Sequence, residues 1–384
     1  MTLFINGRFL TQPLSGVQRY AHELVQALDD LLVRQPSVKA RFGQVVVLTP
    51  FVSGAVHERL PCYRRIEIFS TGASQGHVWE QSRLYQISKD DVLLSLGNCG
   101  PLAHEAHVVA FHDAHVFEMP EAFSPGYRRW HRFLRPRLAQ RAKSLITVSQ
   151  HSAHSLSPWL RIDPAQFAVI PNSAEHVLRT QDNPNALDTF GLARRGYFLS
   201  VGNQSPNKNL IRLISAHRET GCDMPPLAIV GDAPRALNKA KLGRYDSLRV
   251  LGRVQESDLC GLYKGAAGFV FPSLNEGFGI PPLEAMQLGV PVLSSNATAM
   301  PEVLGDAPMW FDPRDQLGMT LALKRFASMS EEERRSRIAK GKLRAARFSW
   351  RASAEALVEV LKPQFSTGAK PAHKPRLQSL ISVR

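Results

Sequence analysis

The 384-residue sequence is poor in cysteine and has no long hydrophobic run. Its four cysteines, at positions 62, 99, 222 and 260, lie far apart and form no CxxC or other metal-ligand spacing, which favours reduced thiols in a cytoplasmic protein. No apolar stretch approaches the roughly 18 residues that cross a bilayer, and the first residues lack the cationic start of a signal peptide. We therefore expect a protein that is soluble or lies on a membrane surface.

Three ligand-binding motifs are also missing. No GxGxxG follows a predicted strand, which argues against a nicotinamide dinucleotide site, and no GxxxxGK(S/T) is present for a P-loop. Asp-x-Asp does not occur, although a carboxylate-bound metal that holds a diphosphate would need such a pair. We therefore expect no metal and no cofactor, and we expect Lys208, Arg253 and helix N-termini to neutralise any bound diphosphate.

Acidic residues are absent from one segment of a chain whose net charge is +14. Residues 128–143 contain only basic charges, interleaved with Trp130, Phe133, Leu134 and Leu138. On a helix this mixture suits an anionic membrane surface, where aromatic rings enter the interface and arginines meet headgroups. A solvated cationic helix whose aromatic residues face the core is the alternative. The charge also leaves a nucleic-acid-binding protein open, although no recognisable nucleic-acid-binding module is present.

The rest of the chain alternates short β-branched runs with helical patterns, and a polar stretch over residues 180–196 divides two such series. This alternation predicts an α/β protein with two doubly wound, Rossmann-like domains that face a central cleft. The predicted domains extend over residues 1–185 and residues 186–350. For residues 351–384 we predict a helix and a basic flexible tail that can cross back to the first domain.

The most informative stretch is residues 267–286. An apolar run that stops at Pro-Ser predicts a buried strand, and Pro-Pro-Leu-Glu-Ala-Met predicts a helix with proline in its first turn. Gly277 and Gly279 between them let the backbone approach a ligand, and Glu276 and Glu284 offer acceptors at either end. Because ligands of open α/β sheets bind beyond the carboxyl ends of the strands, a nucleotide sugar would suit this loop.

Four further positions lie at predicted ligand edges. Gly16 lies where a strand gives way to a helix N-terminus, and Lys208 stands at the start of another helix, so both could meet an anion. His112 and Asp113 directly follow a predicted strand. A turn glycine, a solvated lysine and a structural histidine are the alternatives at these positions.

These residues together resemble the signature of one enzyme family. Phe-Pro-Ser-x-x-Glu-Gly-Phe-Gly-x-Pro-Pro-x-Glu-Ala-Met, followed by Gly-Val-Pro-Val, resembles retaining glycosyltransferases of the GT-B fold, sequence-based family 4. The segments Ser15-Gly16-Val17, His112-Asp113 and Pro301-Glu302-Val303 are similar to other landmarks of that family. The Gly-Val-Gln-Arg-Tyr segment and the Pro-Pro-Leu-Glu pattern look like bacterial surface-polysaccharide enzymes, many of which use GDP-mannose.

The resemblance implies a role for each matching residue. Glu284 would bind the ribose hydroxyls of the donor, Glu276 the hydroxyls of the transferred sugar, and Lys208 the departing diphosphate. His112 would contact the donor sugar near the reacting carbon, with Asp113 beside it on the acceptor side. The other implied donor-binding residues are Gly16, Asn203, Arg253, Val254, Gly277, Phe278, Gly279 and Ile280. Relatives commonly carry an arginine near the lysine, but this chain has Asn203 and Asn207, which leaves that arginine's role vacant or taken elsewhere.

The implied reaction is a metal-independent sugar transfer with retained anomeric configuration, in which stabilising the leaving diphosphate is the main catalytic work. Mannose from GDP-mannose is the favoured donor, and UDP-glucose or another nucleotide hexose stays open. The acceptor would be a saccharide or lipid-linked saccharide in polysaccharide or lipopolysaccharide synthesis, at the cytoplasmic face of the inner membrane. A nucleotide-sugar epimerase or a sugar phosphorylase of the same fold is the alternative, and no nucleic acid is expected as a partner.

Overall fold

The computed structural model describes residues 1–51, 60–72, 74–203, 205–231, 247–366 and 381–382. The chain divides into two compact units, which are Met1–Asn172 with Trp350–Arg384, and Ser173–Ser349. The chain therefore passes from the first unit to the second after Asn172, before the domain boundary predicted between residues 185 and 186. Residues 173–185 belong to the second unit because they bond to it, as when Asn183 Nδ2 donates to Asp258 Oδ1 at 2.7 Å.

The first unit is built on an eight-stranded sheet with the order β14-β3-β2-β1-β4-β5-β6-β7. Its strands are β1 (Thr2–Asn6), β2 (Gln44–Thr49), β3 (Glu67–Ser70), β4 (Val92–Ser95), β5 (His107–Ala110), β6 (Ser144–Thr147), β7 (Phe167–Val169) and β14 (Ile381–Ser382). All pairs are parallel except β14 with β3. Strand β1 lies between β2 and β4, with Leu3 opposite Val45 on one side and Val92 on the other.

The second unit contains a six-stranded parallel sheet with the order β10-β9-β8-β11-β12-β13. Its strands are β8 (Phe198–Val201), β9 (Leu227–Val230), β10 (Leu248–Gly252), β11 (Gly268–Phe271), β12 (Val292–Ser295) and β13 (Met309–Phe311). The core strands β9, β11 and β12 are buried along their whole length. Continuous burial explains their unbroken apolar sequences, since both faces of a parallel sheet are covered by helices.

The helices of the two units alternate with these strands. In the first unit they are α1 (Gly16–Arg34), α2 (Pro36–Phe42), α3 (Gly76–Trp79), α4 (Tyr85–Ser88), α5 (His115–Glu118), α6 (Pro125–Arg141), α7 (Gln150–Leu160) and α16 (Trp350–Ser366). In the second unit they are α8 (His176–Arg179), α9 (Ala186–Thr189), α10 (Leu210–Arg218), α11 (Glu256–Gly265), α12 (Ile280–Gln287), α13 (Met300–Leu304), α14 (Gln316–Ala327) and α15 (Glu331–Ala345). A π-helical turn, Glu80–Leu84, joins α3 to α4.

The C-terminal helix α16 belongs to the first unit, as its expected crossing back requires. It packs against α1, where Tyr20, Leu24 and Leu28 form a buried stripe at helical spacing. The rings of Tyr20 and Trp350 lie 6.0 Å apart in this contact. The flexible tail was predicted for residues that include 367–380 and 383–384, which lie outside the described part of the chain.

The order of each sheet reverses beside its first strand, between β1 and β4 in the first unit and between β8 and β11 in the second. Loops leave such a switch point in opposite directions and open a crevice at the carboxyl edge, where ligands of doubly wound folds bind. The predicted α/β architecture with two Rossmann-like sheets is confirmed. The short strands β13 and β14 were not predicted.

Candidate active site

The switch point of the second sheet holds two loops that bond directly to each other. The Leu274 N–H after β11 donates to the Asn207 carbonyl after β8 at 2.7 Å, and Asn207 Nδ2 donates to the Asn275 carbonyl at 3.1 Å. Asn209 adds a third link, from its Nδ2 to the Pro272 carbonyl at 3.1 Å. Asn207 is buried and its amide joins the loops, so it does not supply the positive charge that the family resemblance implies near Lys208.

These loops bring Lys208 and Glu276 together, as expected for residues of one ligand edge. Lys208 Nζ lies 2.6 Å from Glu276 Oε1, and the two side chains are 20% and 12% exposed. The same ammonium lies 5.6 Å from the centre of the Phe271 ring. The backbone N–H of Glu276 donates to Thr298 Oγ1 at 3.1 Å, which restrains the loop that carries this carboxylate. The switch point thus presents one cation and one carboxylate, the charges that suit a phosphate and a sugar hydroxyl.

Glu284 lies on α12 and is held by two residues that the sequence analysis missed. His176 Nε2 lies 2.8 Å from Glu284 Oε1, and the Tyr263 hydroxyl donates to Oε2 at 2.8 Å. Burial and the neighbouring carboxylate raise the pKa of Tyr263 well above its ordinary value, so its hydroxyl stays a donor. A carboxylate held in this orientation is a suitable acceptor for ligand hydroxyls.

The glycine loop between the two glutamates is tightly constrained. Gly279 has φ +93°, and a Cβ there would lie 2.5 Å from Met300 Cε. Phe278 is buried and packs edge to face on Phe348, with ring centres 5.4 Å apart. Helix α12 then begins at Ile280, with two prolines in its first turn. The N–H groups of the Gly277–Ile280 backbone are thereby held at a helix start, where an anion or hydroxyl can bind.

The other predicted donor-binding residues of this unit lie around the same sheet edge. Asn203 follows β8, and its Oδ1 accepts the Ser205 N–H at 3.1 Å. Arg253 is exposed and Val254 is half-buried. Both follow β10, which β9 separates from β8. Their role in donor binding stays a prediction.

In the first unit, His112 and Asp113 follow β5 as predicted. His112 Nε2 lies 2.8 Å from the Leu96 carbonyl. This bond requires the hydrogen on Nε2 and leaves Nδ1 as an acceptor. Burial lowers the pKa of His112, so the ring is neutral near pH 7. Burial acts to raise the pKa of Asp113, but the charges of His115 and Arg135 lower it below its ordinary value. Gly16 is exposed at the first position of α1, after an extended Ser15.

A polar cluster at the switch point of the first sheet was missed by the sequence analysis. Glu80 is fully buried, and its Oε2 lies 3.0 Å from Arg8 Nη1 and 2.8 Å from His77 Nδ1. Its Oε1 accepts from Asn6 Nδ2 at 2.9 Å and from Cys99 Sγ at 3.1 Å. Burial acts to raise the pKa of Glu80, but the bonds to His77 and Arg8 lower it, so the acid is ionised.

His77, Glu80 and Cys99 bring their ligand atoms within 4.8 Å of one another, which is the spacing of a metal site. Arg8 already supplies a cation there, because its Nη1 lies 3.1 Å from His77 Nδ1 and 3.3 Å from Cys99 Sγ. A guanidinium among these atoms disfavours a second cation by Coulomb repulsion. The cluster therefore fits a structural or hydroxyl-binding role better than a metal.

Comparisons with known proteins agree with this architecture. Residues 191–344 match the family model described as "Glycosyl transferases group 1". The chain is 30% identical over 363 residues to the O-antigen chain mannosyltransferase B of Escherichia coli, covering 88% of this chain and 93% of that protein. Among the described residues, no helix is both long and apolar enough to cross a bilayer.

Two solved structures share the fold across nearly the whole chain. Sucrose-phosphate synthase from Thermosynechococcus elongatus superposes with a TM-score of 0.69 at 15% identity, covering 96% of this chain and 99% of that one. Anabaena Alr3699/HepE, solved in complex with UDP, gives a TM-score of 0.68 at 18% identity, with 94% and 100% covered. At these identities the likeness concerns the fold alone.

Proposed function

The chain belongs to the O-antigen mannosyltransferase family of the group 1 glycosyltransferases, and from this premise we propose that it transfers mannose from GDP-mannose to a saccharide or lipid-linked saccharide. In this proposal the anomeric configuration is retained and no metal takes part. The observation that carries the proposal is the Lys208–Glu276 pair at the switch point of the second sheet. Its cation and carboxylate match the two halves of a nucleotide sugar, the diphosphate and the hydroxyl-bearing ring.

Lys208 acts on the leaving group. As the bond from the sugar to the diphosphate breaks, negative charge grows on the diphosphate oxygens, and the ammonium stabilises it in a partly buried site. The backbone N–H groups of Phe278, Gly279 and Ile280, which precede the two prolines of α12, add to this field. Positive groups of the protein thus supply the charge compensation that a metal would otherwise give.

Glu276 and Glu284 orient the donor. Glu276 accepts hydrogen bonds from hydroxyls of the transferred sugar, and donor binding separates it from Lys208. Glu284, fixed by His176 and Tyr263, accepts from the ribose hydroxyls of the nucleotide. Because both hydrogen bonds to Glu284 are present before a nucleotide sugar binds, the carboxylate is preorganised and loses little conformational freedom when the nucleotide sugar binds.

The roles proposed for the first unit follow the family resemblance. The neutral His112 ring offers Nδ1 as an acceptor for a hydroxyl of the donor sugar. Asp113, kept ionised by its neighbours, serves the acceptor side. No carboxylate is proposed as a covalent nucleophile. The acceptor oxygen attacks an oxocarbenium-like sugar from the face that the diphosphate leaves, which retains the configuration.

A donor screen tests the proposal. Melting temperatures are measured with GDP-, UDP-, ADP- and dTDP-sugars, because only a ligand that binds the native state raises the melting temperature. We expect the largest rise with GDP-mannose. A rise confined to a UDP-sugar would instead favour the UDP-glucose alternative.

Product analysis tests the reaction itself. We expect an α-linked mannoside whose formation needs an acceptor and continues in the presence of EDTA. A β-linked product would contradict retention, and loss of turnover in EDTA would contradict metal independence. Release of an altered sugar nucleotide without any acceptor would indicate the epimerase alternative, and sugar 1-phosphate formed with free phosphate would indicate the phosphorylase.

A further inference from the structure

Helices α6 and α7 of the first unit enclose a groove of about 410 Å³ on the protein surface. Three arginines line it, namely Arg132, Arg137 and Arg161, together with Gln140, Trp159 and Phe117. No acid is among the lining residues. We call this feature the arginine groove. Its volume is at the lower end of the roughly 300–1,000 Å³ typical of small-molecule sites.

The three guanidinium groups have no carboxylate partner within the described part of the chain. Arg132 Nη2 donates to the Phe117 carbonyl at 3.3 Å, and Arg137 Nη1 donates to the Phe133 carbonyl at 2.9 Å. Residues 122–162 contain no Asp or Glu at all. Three like charges around one groove repel each other unless an anion lies between them.

The paired arginines of the second unit provide a contrast. Arg325 and Arg337 both form ion pairs with Glu333, so the charge of that surface is neutralised within the protein. The arginine groove lacks any such acid, and its positive potential is available to an external anion.

Two exposed aromatic side chains stand beside these charges. Trp159 is 41% exposed and stacks on Phe117, with ring centres 5.3 Å apart and planes 8° from parallel. Phe133 is 44% exposed, and the Arg137 guanidinium lies 4.0 Å from the centre of its ring. A dissolved phosphate compound would need no exposed rings, whereas a bilayer interface accommodates aromatic side chains next to arginines.

The structure also divides the basic segment, residues 128–143, into two faces. Leu134 and Leu138 are buried in the core, but Phe133 is exposed, whereas the alternative prediction placed the aromatic residues of this helix towards the core. Arg135 is buried too, and its Nη1 donates to the Asp113 carbonyl at 3.1 Å. The outward face of α6 is therefore narrower than the sequence suggested, and Arg132, Phe133 and Arg137 lie on it.

We propose that the arginine groove binds the phosphate of an anionic phospholipid headgroup, with Trp159 and Phe133 at the level of the interface. The groove then holds the first unit against an anionic bilayer. This inference does not depend on the donor or the reaction proposed above, because lipid binding needs neither.

Vesicle sedimentation tests the proposal. We expect the protein to bind phosphatidylcholine vesicles that contain phosphatidylglycerol, and not vesicles of phosphatidylcholine alone. The variant Arg132→Gln/Arg137→Gln/Arg161→Gln should bind roughly a hundredfold more weakly, since each arginine near an anionic surface contributes about a factor of five.

The matched control is Arg34→Gln/Lys39→Gln/Arg41→Gln, which removes three exposed charges from the same unit. It should retain most of the vesicle binding. Equal losses in the two variants would show that net charge alone is responsible, and equal binding of the wild type to both vesicles would exclude an anionic headgroup. Either result would overturn the proposal.

Tryptophan quenching supplies a second test that does not depend on the triple variant folding. Brominated lipids should quench the wild-type fluorescence more than that of Trp159→Phe, because Trp159 reaches the interface. Equal fractional quenching would place Trp159 away from the bilayer and would contradict the proposal.

Two further results would assign the groove elsewhere. The groove variant should transfer sugar to a water-soluble acceptor at the wild-type rate, and a loss of that activity would make the groove part of the active site. If the variant lost binding to single-stranded RNA while vesicle binding was unchanged, the groove would be a nucleic-acid site instead.

Discussion

Lys208 and Glu276 come from loops that are 68 residues apart in sequence, yet they form one ion pair. In the free protein each neutralises the other, so the site carries little net charge before a donor arrives. Donor binding exchanges this pair for a cation–phosphate contact and a carboxylate–hydroxyl contact. Until then, the ion pair also holds both side chains in position for the ligand.

Replacement of the lysine tests its role. We expect Lys208→Ala to lower kcat with the true donor by at least about a hundredfold, the usual effect of removing a group that stabilises developing charge. Glu276→Ala should have an effect of similar size. Lys264→Ala is the control, because Lys264 pairs with Asp182 at the surface of the same unit. Near-normal turnover by Lys208→Ala or Glu276→Ala would refute the assigned roles.

The Tyr263 hydroxyl offers a separate test of Glu284. Tyr263→Phe removes the hydroxyl that donates a hydrogen bond to Glu284 Oε2. This change should weaken binding of the nucleotide sugar and lower the free energy of unfolding by about 1–3 kcal/mol. The control is Tyr197→Phe, whose buried hydroxyl donates to the Leu262 carbonyl in the same unit. Both variants should be less stable, but only Tyr263→Phe should bind the donor more weakly in calorimetry. Equal donor affinities of the two variants would show that Glu284 does not bind the nucleotide.

The sequence reveals some of these residues and conceals others. Glu276, Gly279 and Glu284 lie within one strand–loop–helix unit, so their relation can be read from local spacing. His176 reaches Glu284 across 108 positions, and no periodicity or motif connects them. Local chemistry is therefore predictable here, whereas the residues that orient it depend on tertiary packing.

At the scale of elements, the turn into α12 depends on a single glycine. Gly279 combines φ +93° with a close approach to Met300. We expect Gly279→Ala to lower the free energy of unfolding by about 2–3 kcal/mol, because it adds backbone strain and displaces the flexible end of the buried Met300 side chain. Urea denaturation of the full chain measures this change.

Gly221→Ala is the matched control for this substitution. Gly221 has φ +103° in the same unit, but no atom lies within 4 Å of its added Cβ. Only the backbone strain should appear there, about 1–2 kcal/mol. If both variants lost the same stability, the contact with Met300 would not contribute.

Most strands could be predicted because buried parallel strands such as β9 and β11 are continuous apolar runs. The cluster around Glu80 could not be predicted in the same way. It exists because β1 lies beside β4, which brings Arg8 and Cys99 together from positions 91 residues apart. Strand order is set by the packing of helices on both faces, and no local pattern in this sequence reports it.

At the scale of the whole molecule, the first unit contains several histidines that are buried in the neutral form. Burial is the main cause that lowers the pKa of His104, His107 and His112. Burial, aided by the charge of Arg135, lowers the pKa of His131 to about 2. An unfolded histidine takes up a proton near pH 6.5, whereas these folded ones do not. The contribution of these histidines to stability should therefore be constant above about pH 7 and fall as the pH decreases through 6.5.

His131→Gln measures one part of this pH dependence. Because its pKa is lowered to about 2, His131 should contribute a slope that approaches about 1.4 kcal/mol per pH unit as the pH falls below 6.5. Glutamine still offers an oxygen to Arg135 Nε, which donates to His131 Nδ1 at 3.2 Å. We expect the unfolding free energy of the variant to fall less steeply between about pH 6.5 and pH 5 than that of the wild type. Parallel slopes in urea denaturation would show that His131 is protonated in the folded protein.

The chain leaves the first unit at Asn172 and returns to it at Trp350, so this unit is discontinuous in sequence. During synthesis, α1 emerges from the ribosome long before α16, the helix that covers its apolar stripe. At translation rates of about 5–20 residues per second, the stripe waits on the order of ten seconds or more for its partner. The second unit is continuous and can complete its core within that interval. A newly made chain therefore exposes the apolar stripe of α1 until α16 emerges, a surface that the mature protein buries.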